Sequence, residues 1–181
     1  MNSFTARSLP NPDMASEYKY EDSEGNEESI APVPVDADPL VYFVPSTLTY
    51  RQTTHEENTI VDWFQHENGG HLKVERLFMV FDGEEAPDGY TMLANRAEEI
   101  PTCNVRPTLL QSGFYMISYE EPSSEGELLV RRCCELCCVL GQNLTVVLFS
   151  STLHLDDLQR MDINFYSRVI KEYAKMTHFA E

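Results

Sequence analysis

The stretch RRCCELCCVLGQ, residues 131–142, carries four of the five cysteines in the chain and bears most directly on the fold. On a helix, with about 100° between successive residues, its cysteines and leucines share one broad face. Arg131, Arg132 and Glu135 fall in a narrow stripe on the opposite face. Cysteine in such a setting behaves as a small apolar side chain. The pattern therefore predicts an amphipathic helix whose four cysteines pack in the core.

Two other chemistries use clustered cysteines, and both remain alternatives. A structural zinc site needs four converging ligands, usually in two separated pairs, but the remaining cysteine, Cys103, stands alone in the sequence. A redox Cys-x-x-Cys normally places its first thiol at a helix N-terminus. Cys134 and Cys137 fall well inside the predicted helix instead. Core packing is the favoured interpretation.

The chain is strongly acidic. Its 13 Lys and Arg residues stand against 30 Asp and Glu, a net charge of -17, so a nucleic acid duplex or an anionic membrane surface would repel it. Its apolar runs are far shorter than the roughly 20 residues that span a bilayer, and its N-terminus lacks the pattern of a secretory signal. Adjacent cysteine pairs and an odd cysteine count indicate a reducing compartment. We expect an intracellular protein, cytoplasmic or nuclear, with no membrane insertion and no direct nucleic-acid binding.

Residues 1–39 differ in composition from the rest of the chain. They hold five of the ten prolines, nine acidic residues and two basic ones, with almost no clustered aliphatic side chains. Such a segment buries too little apolar area to offset its ordering entropy. We therefore predict a disordered acidic arm over residues 1–39, ending in an extended linker, and a single domain over residues 40–181. The arm is either a solubilising tail or a recognition segment in which Tyr18 and Tyr20 anchor on a basic partner.

Apolar patterns predict the elements of the domain. Helical signals mark residues 54–68, which open with the capping box of Thr54 and Glu57, the cysteine-rich segment, and the amphipathic residues 156–176. Strands are predicted at LVYFV (40–44), LKVERLFMVF (72–81), YTML (90–93), GFYMISY (113–119) and NLTVVLFSS (143–151), with STLTYRQ (46–52) as a further candidate. The predicted fold class is α+β: a single compact domain, mainly an antiparallel sheet of about five strands, packed with two to three helices.

Three further clusters have the composition of functional sites but not the spacing. His66 and His71 lie five positions apart with two glycines between them, whereas a zinc-protease helix needs histidines four apart. The acidic loop DGEEAPDG, residues 82–89, lacks calcium ligands at the fifth and twelfth positions of a binding loop. His154 precedes two aspartates that helix capping explains as well as catalysis does. The sequence therefore predicts no catalytic residue, no metal and no cofactor.

Three classes of function remain. The favoured class is a non-catalytic protein–protein interaction module, an adaptor or assembly subunit, whose partner carries a basic surface that suits the acidic arm. The alternatives are an acidic inhibitor or nucleic-acid mimic, and a thiol- or histidine-dependent enzyme. Candidate partner-binding residues are aromatic or acidic and lie in the arm, in the acidic loop and near the C-terminus: Tyr18, Tyr20, Asp82, Glu84, Glu85, Asp88, Phe165 and Phe179.

Overall fold

The computed structural model describes residues 18–21, 25–65, 70–83, 86–103, 105–122, 129–154 and 160–181. Within these segments strands dominate. The strands are β1 (Tyr18–Glu21), β2 (Glu27–Ile30), β3 (Pro32–Ala37), β4 (Leu40–Pro45), β5 (Thr49–Glu56), β6 (Thr59–Gln65), β7 (His71–Val80), β8 (Thr108–Leu109), β9 (Tyr115–Pro122), β10 (Leu129–Leu140), β11 (Asn143–His154) and β12 (His178–Phe179). The helices are α1 (Gly89–Glu99) and α2 (Arg160–Ala174).

The described strands form three sheets. The large sheet has seven strands in the order β5-β6-β7-β11-β10-β9-β8, and neighbouring strands are antiparallel. The small sheet has the order β12-β4-β3, and β1 pairs with β2. Two meanders, β5 to β7 and β8 to β11, therefore meet where β7 pairs with β11 in the middle of the large sheet.

The cysteine-rich segment is strand β10, so the helix predicted there is wrong. β10 pairs with β9 on one side and with β11 on the other. Gly141, at φ 63°, opens the two-residue turn between β10 and β11, where a positive φ suits glycine. A strand that is covered on both faces reads as a continuous apolar run, which fits a helical face as well as a strand.

The prediction that the four clustered cysteines are core residues is confirmed. Each is at most 7% exposed. Cys134 and Cys138 belong to the cluster between the two sheets, whereas Cys133 and Cys137 belong to the cluster beneath α1. The large sheet is therefore a middle layer, with the small sheet and α2 on one face and α1 on the other.

The predicted fold class is also wrong, because strands dominate over helices. Residues 54–68, predicted as a helix, contain the end of β5 and all of β6, which meet in a tight turn at Glu57 with φ 42°. The apolar positions of β6 fit both periods, and its β-branched residues favour a strand. YTML, predicted as a strand, lies in α1. The other predicted strands and the C-terminal helix are confirmed.

Part of the predicted arm pairs with the domain. Residues 32–37, predicted as an extended linker, form β3 alongside β4. Ile30, at the end of β2, is fully buried in a cluster with residues of β4 and α2. Residues 1–17 and 22–24 lie outside the described residues, and the division of the chain at residue 39 stays a prediction.

A buried ion pair within the large sheet is hydrogen-bonded to the small sheet. Asp62 of β6 and Arg76 of β7 approach to 3.0 Å, with side chains only 5% and 8% exposed. Tyr42 of the small sheet donates a hydrogen bond to Asp62 Oδ2 at 2.5 Å, and Thr53 donates one to Oδ1 at 2.7 Å. Burial, followed by the hydrogen bond to Asp62, raises the pKa of Tyr42 well above its ordinary value. One carboxylate thus binds side chains from three strands of the large and small sheets.

Candidate functional site

Phe179 is the predicted site residue with the most informative position. It lies on β12 opposite Leu40 of β4, and its ring stacks on Phe114 with the centroids 5.2 Å apart. The side chain is half-buried rather than enclosed. It contacts the core and also lines a groove at the rim of the small sheet.

The groove lies where the large sheet extends past the small one. It has a volume of about 320 Å³. The ends of β7, β10 and β11 line it together with one residue of the β3–β4 turn and one of β12. Its lining residues are Pro39, Phe78, Met79, Val80, Leu140, Asn143, Leu144, Thr145 and Phe179.

Two apolar side chains at the groove are open to solvent on one face of the sheet: Val80 is 63% exposed and Leu140 58%. Met79, 41% exposed, precedes Val80 on β7 and therefore points to the opposite face. Val80 and Leu140 are both register partners of Asn143, one from each side of β11, so they flank it on the same face of the sheet. A contiguous apolar surface of this kind marks an interaction site more often than a single exposed leucine does.

Acidic residues surround the groove along the chain. Asp38 immediately precedes Pro39, Asp82 follows Val80 by two positions, and Glu181 follows Phe179 by two. All three are exposed. The nine lining residues include no lysine or arginine. An apolar floor with a negative border is complementary to a segment that carries both apolar and cationic side chains.

No protein-family model and no curated protein sequence matches this chain. Its functional assignment therefore depends on the chemistry of its own surfaces. In the segments that the structure describes, no helix is long and apolar enough to cross a membrane. Within the same segments, no group of three or more His, Cys, Asp and Glu side chains is placed to hold a metal ion.

Asp88 and Asp82 of the predicted acidic loop have different surroundings in the structure. Asp88 is the N-cap of α1: its carboxylate accepts hydrogen bonds from the backbone N–H of Thr91 at 2.8 Å and from the Thr91 hydroxyl at 3.0 Å. These bonds hold the pKa of Asp88 below its ordinary value. Asp82 instead is exposed and follows Val80 of the groove by two positions in the chain. Glu84 and Glu85 lie outside the described residues.

Tyr18 anchors β1 to α2. Its ring packs edge-on against Tyr173 with the centroids 5.8 Å apart. Burial, with a smaller effect of the Glu172 charge, raises its pKa. The side chains of Tyr20 and Phe165 lie outside the described residues. The partner-binding role of all the predicted site residues stays a prediction.

The structure describes the surroundings of Cys134, Cys137 and His71 among the cysteine and histidine candidates. Burial raises the thiol pKa of Cys134 and of Cys137 to about 12, which leaves little thiolate for nucleophilic attack or metal binding at neutral pH. His71 lies in β7 with its ring 5.8 Å from that of Trp63. His66 and the side chain of His154 lie outside the described residues.

Sequence reasoning named Phe179 as a candidate contact residue and named none of the other groove residues. The available signal was the apolar run LFMVF, residues 77–81, which is longer than the covered part of β7 requires. Val80 and Leu140 are aliphatic, like the core residues that precede them on β7 and β10, so the sequence does not distinguish them from core. They are exposed because the small sheet does not extend over them.

Proposed function

We propose that this protein is a non-catalytic protein-interaction module that binds an apolar, cationic segment of a partner protein in the groove between Phe179 and Val80. One observation carries the proposal: a groove of about 320 Å³ has exposed apolar side chains, and exposed acidic residues lie within two positions of three of its lining residues in the chain. This volume is at the lower end of the roughly 300–1,000 Å³ of ligand pockets. It suits a few anchoring side chains of a peptide.

The apolar and the acidic residues at the groove would contribute to binding in different ways. Apolar side chains of the partner would displace water from Val80 and Leu140, which provides most of the affinity. Lysine or arginine beside them would face Asp38 and Asp82, which increases the association rate and selects the partner. The adaptor would work inside the cell, where its five free cysteines stay reduced.

A random peptide display library tests the proposal, because it assumes no particular partner. We expect enriched peptides to combine apolar residues with lysine or arginine. The Leu140→Gln variant removes an anchor worth about 1.5–3 kcal/mol when fully buried, so it should weaken peptide binding about tenfold or more. Added salt should weaken the same binding, since the border contributes through charge.

Leu109→Gln is the matched control. Leu109 is 60% exposed, close to the 58% of Leu140, but it lies on β8 at the edge of the large sheet and outside the groove. It should leave peptide binding unchanged. Acidic enriched peptides, or equal losses in the two variants, would rule out the groove as the binding site.

A further inference from the structure

A second cleft, which shares no lining residue with the apolar groove, lies between α2 and β9. It has a volume of about 420 Å³. β8 pairs with β9 only at Tyr115 and Met116, so the later part of β9 lies beyond that pairing. There the Thr102 hydroxyl donates a hydrogen bond to the backbone carbonyl of Glu120. Thr102, Glu120 and Ser118 all line the cleft.

Three cations from two elements line this cleft. Arg132 comes from β10, and Arg168 and Lys171 come from α2. Glu120 is the one carboxylate among the described residues that line it, and it forms an ion pair with Arg132 at 3.6 Å. Among the described lining residues cations therefore outnumber carboxylates, although the whole chain carries a charge of -17.

Lys171 and Arg132 both line the cleft. The positive charge of Lys171 lowers the pKa of Cys134 on β10, although burial raises that pKa by more. Arg132 is half-buried and lies two positions before Cys134 on β10. The hydroxyls of Ser118 and Ser167 add neutral donors to the lining.

We propose that this cleft binds the phosphate group of a phosphomonoester. Two arginines, a lysine and nearby hydroxyls are the donors that recognise phosphate oxygens, and charge-assisted hydrogen bonds to them are about twice as strong as neutral ones. A phosphate group carries close to two negative charges at neutral pH, so it suits a lining in which the described cations outnumber the carboxylates. The volume exceeds that of a bare phosphate, so the cleft also accepts part of the group that the phosphate esterifies.

The site differs in sign from the apolar groove and does not depend on the proposed function. Most of the chain's acidic surface would repel a phosphate at long range, so binding requires the local field of Arg132, Arg168 and Lys171. The interaction should therefore weaken steeply with ionic strength.

An NMR titration of the full chain with inorganic phosphate, at constant ionic strength set with chloride, tests the site. We expect saturable shifts of the backbone amides of Ser118, Arg132 and Lys171. Lys171→Gln should weaken the affinity about tenfold, as loss of a hydrogen bond to a charged group does. Arg51→Gln is the control, because Arg51 is exposed on β5 at the far edge of the large sheet.

Two further arms identify the source of the phosphate. Blocked phosphoserine represents a modified protein, ribose 5-phosphate represents a small metabolite, and blocked serine is the unphosphorylated control. Tighter binding of either ester than of inorganic phosphate supports the proposal and shows which source fits. Non-saturating shifts, equal affinity of Lys171→Gln and wild type, or no preference for either ester over inorganic phosphate would overturn it.

Discussion

Replacing Asp62 with asparagine should destabilise the protein far more than a change of one charged group usually does. The substitution keeps the side-chain volume but removes the negative charge that lies 3.0 Å from Arg76. Both side chains are nearly buried, so Arg76 would be left as an uncompensated charge in the interior. Asparagine keeps only one acceptor oxygen, so the side chain could no longer accept hydrogen bonds from Tyr42 and Thr53 through separate oxygens.

The expected magnitude follows from that burial. Breaking a buried ion pair by removing one partner costs about 3–5 kcal/mol of unfolding free energy. In a domain of this size each kcal/mol shifts the melting temperature by about 2–4 °C, so the Asp62→Asn variant should melt about 10 °C below the wild type. Thermal unfolding followed by circular dichroism, with urea unfolding at room temperature, measures both quantities.

Glu172→Gln provides the matched comparison. Glu172 pairs with Lys175 at 2.9 Å, but the two side chains are 25% and 29% exposed. Solvent screening limits such a pair to about 1 kcal/mol or less. If Asp62→Asn and Glu172→Gln destabilise the protein equally, burial of the Asp62–Arg76 pair does not make it more important for stability than an exposed pair. The double variant Asp62→Leu with Arg76→Met should recover part of the loss, because it leaves no buried charge.

Two further outcomes are expected. Burial raises the pKa of the Cys134 and Cys137 thiols to about 12, so they should react with a disulfide reagent only in strongly alkaline solution or after unfolding, and the less buried Cys103 should react first. Equal reaction rates at neutral pH would show that β10 is accessible. Gly89→Ala should lower the unfolding free energy by about 1 kcal/mol or more, because the alanine Cβ would lie 3.1 Å from Tyr115 Cδ2 and 3.3 Å from the Cys137 carbonyl oxygen. An unchanged melting temperature would mean that α1 shifts freely.

Several elements were predictable because their signals are local. The segment LVYFV lies between two prolines, and β4 spans Leu40–Pro45. The predicted amphipathic pattern of residues 156–176 contains α2, Arg160–Ala174. The four clustered cysteines were correctly placed in the core although their secondary structure was not. Burial depends on how apolar the side chain is, whereas the choice between helix and strand here depends on distant partners.

The candidate sites were only partly predictable for the same reason. Phe179 was identified as a contact residue because it is aromatic and near the end of the chain. Leu140 and Val80 look like core residues in the sequence, and their exposure depends on where the small sheet ends. Arg132 was assigned to a solvent-facing stripe of a helix. On β10 it instead borders a cleft with Lys171 from α2.

The sequence alone determined which segments are apolar, where several turns fall, that the chain is strongly acidic and that its clustered cysteines are buried. These properties depend on composition and on neighbours a few residues apart. The tertiary structure decided that residues 129–140 form a strand, because β9 and β11 supply hydrogen bonds on both edges while α1 and the small sheet cover both faces. It also decided which apolar and cationic side chains stay accessible, since that depends on packing between segments far apart in the chain.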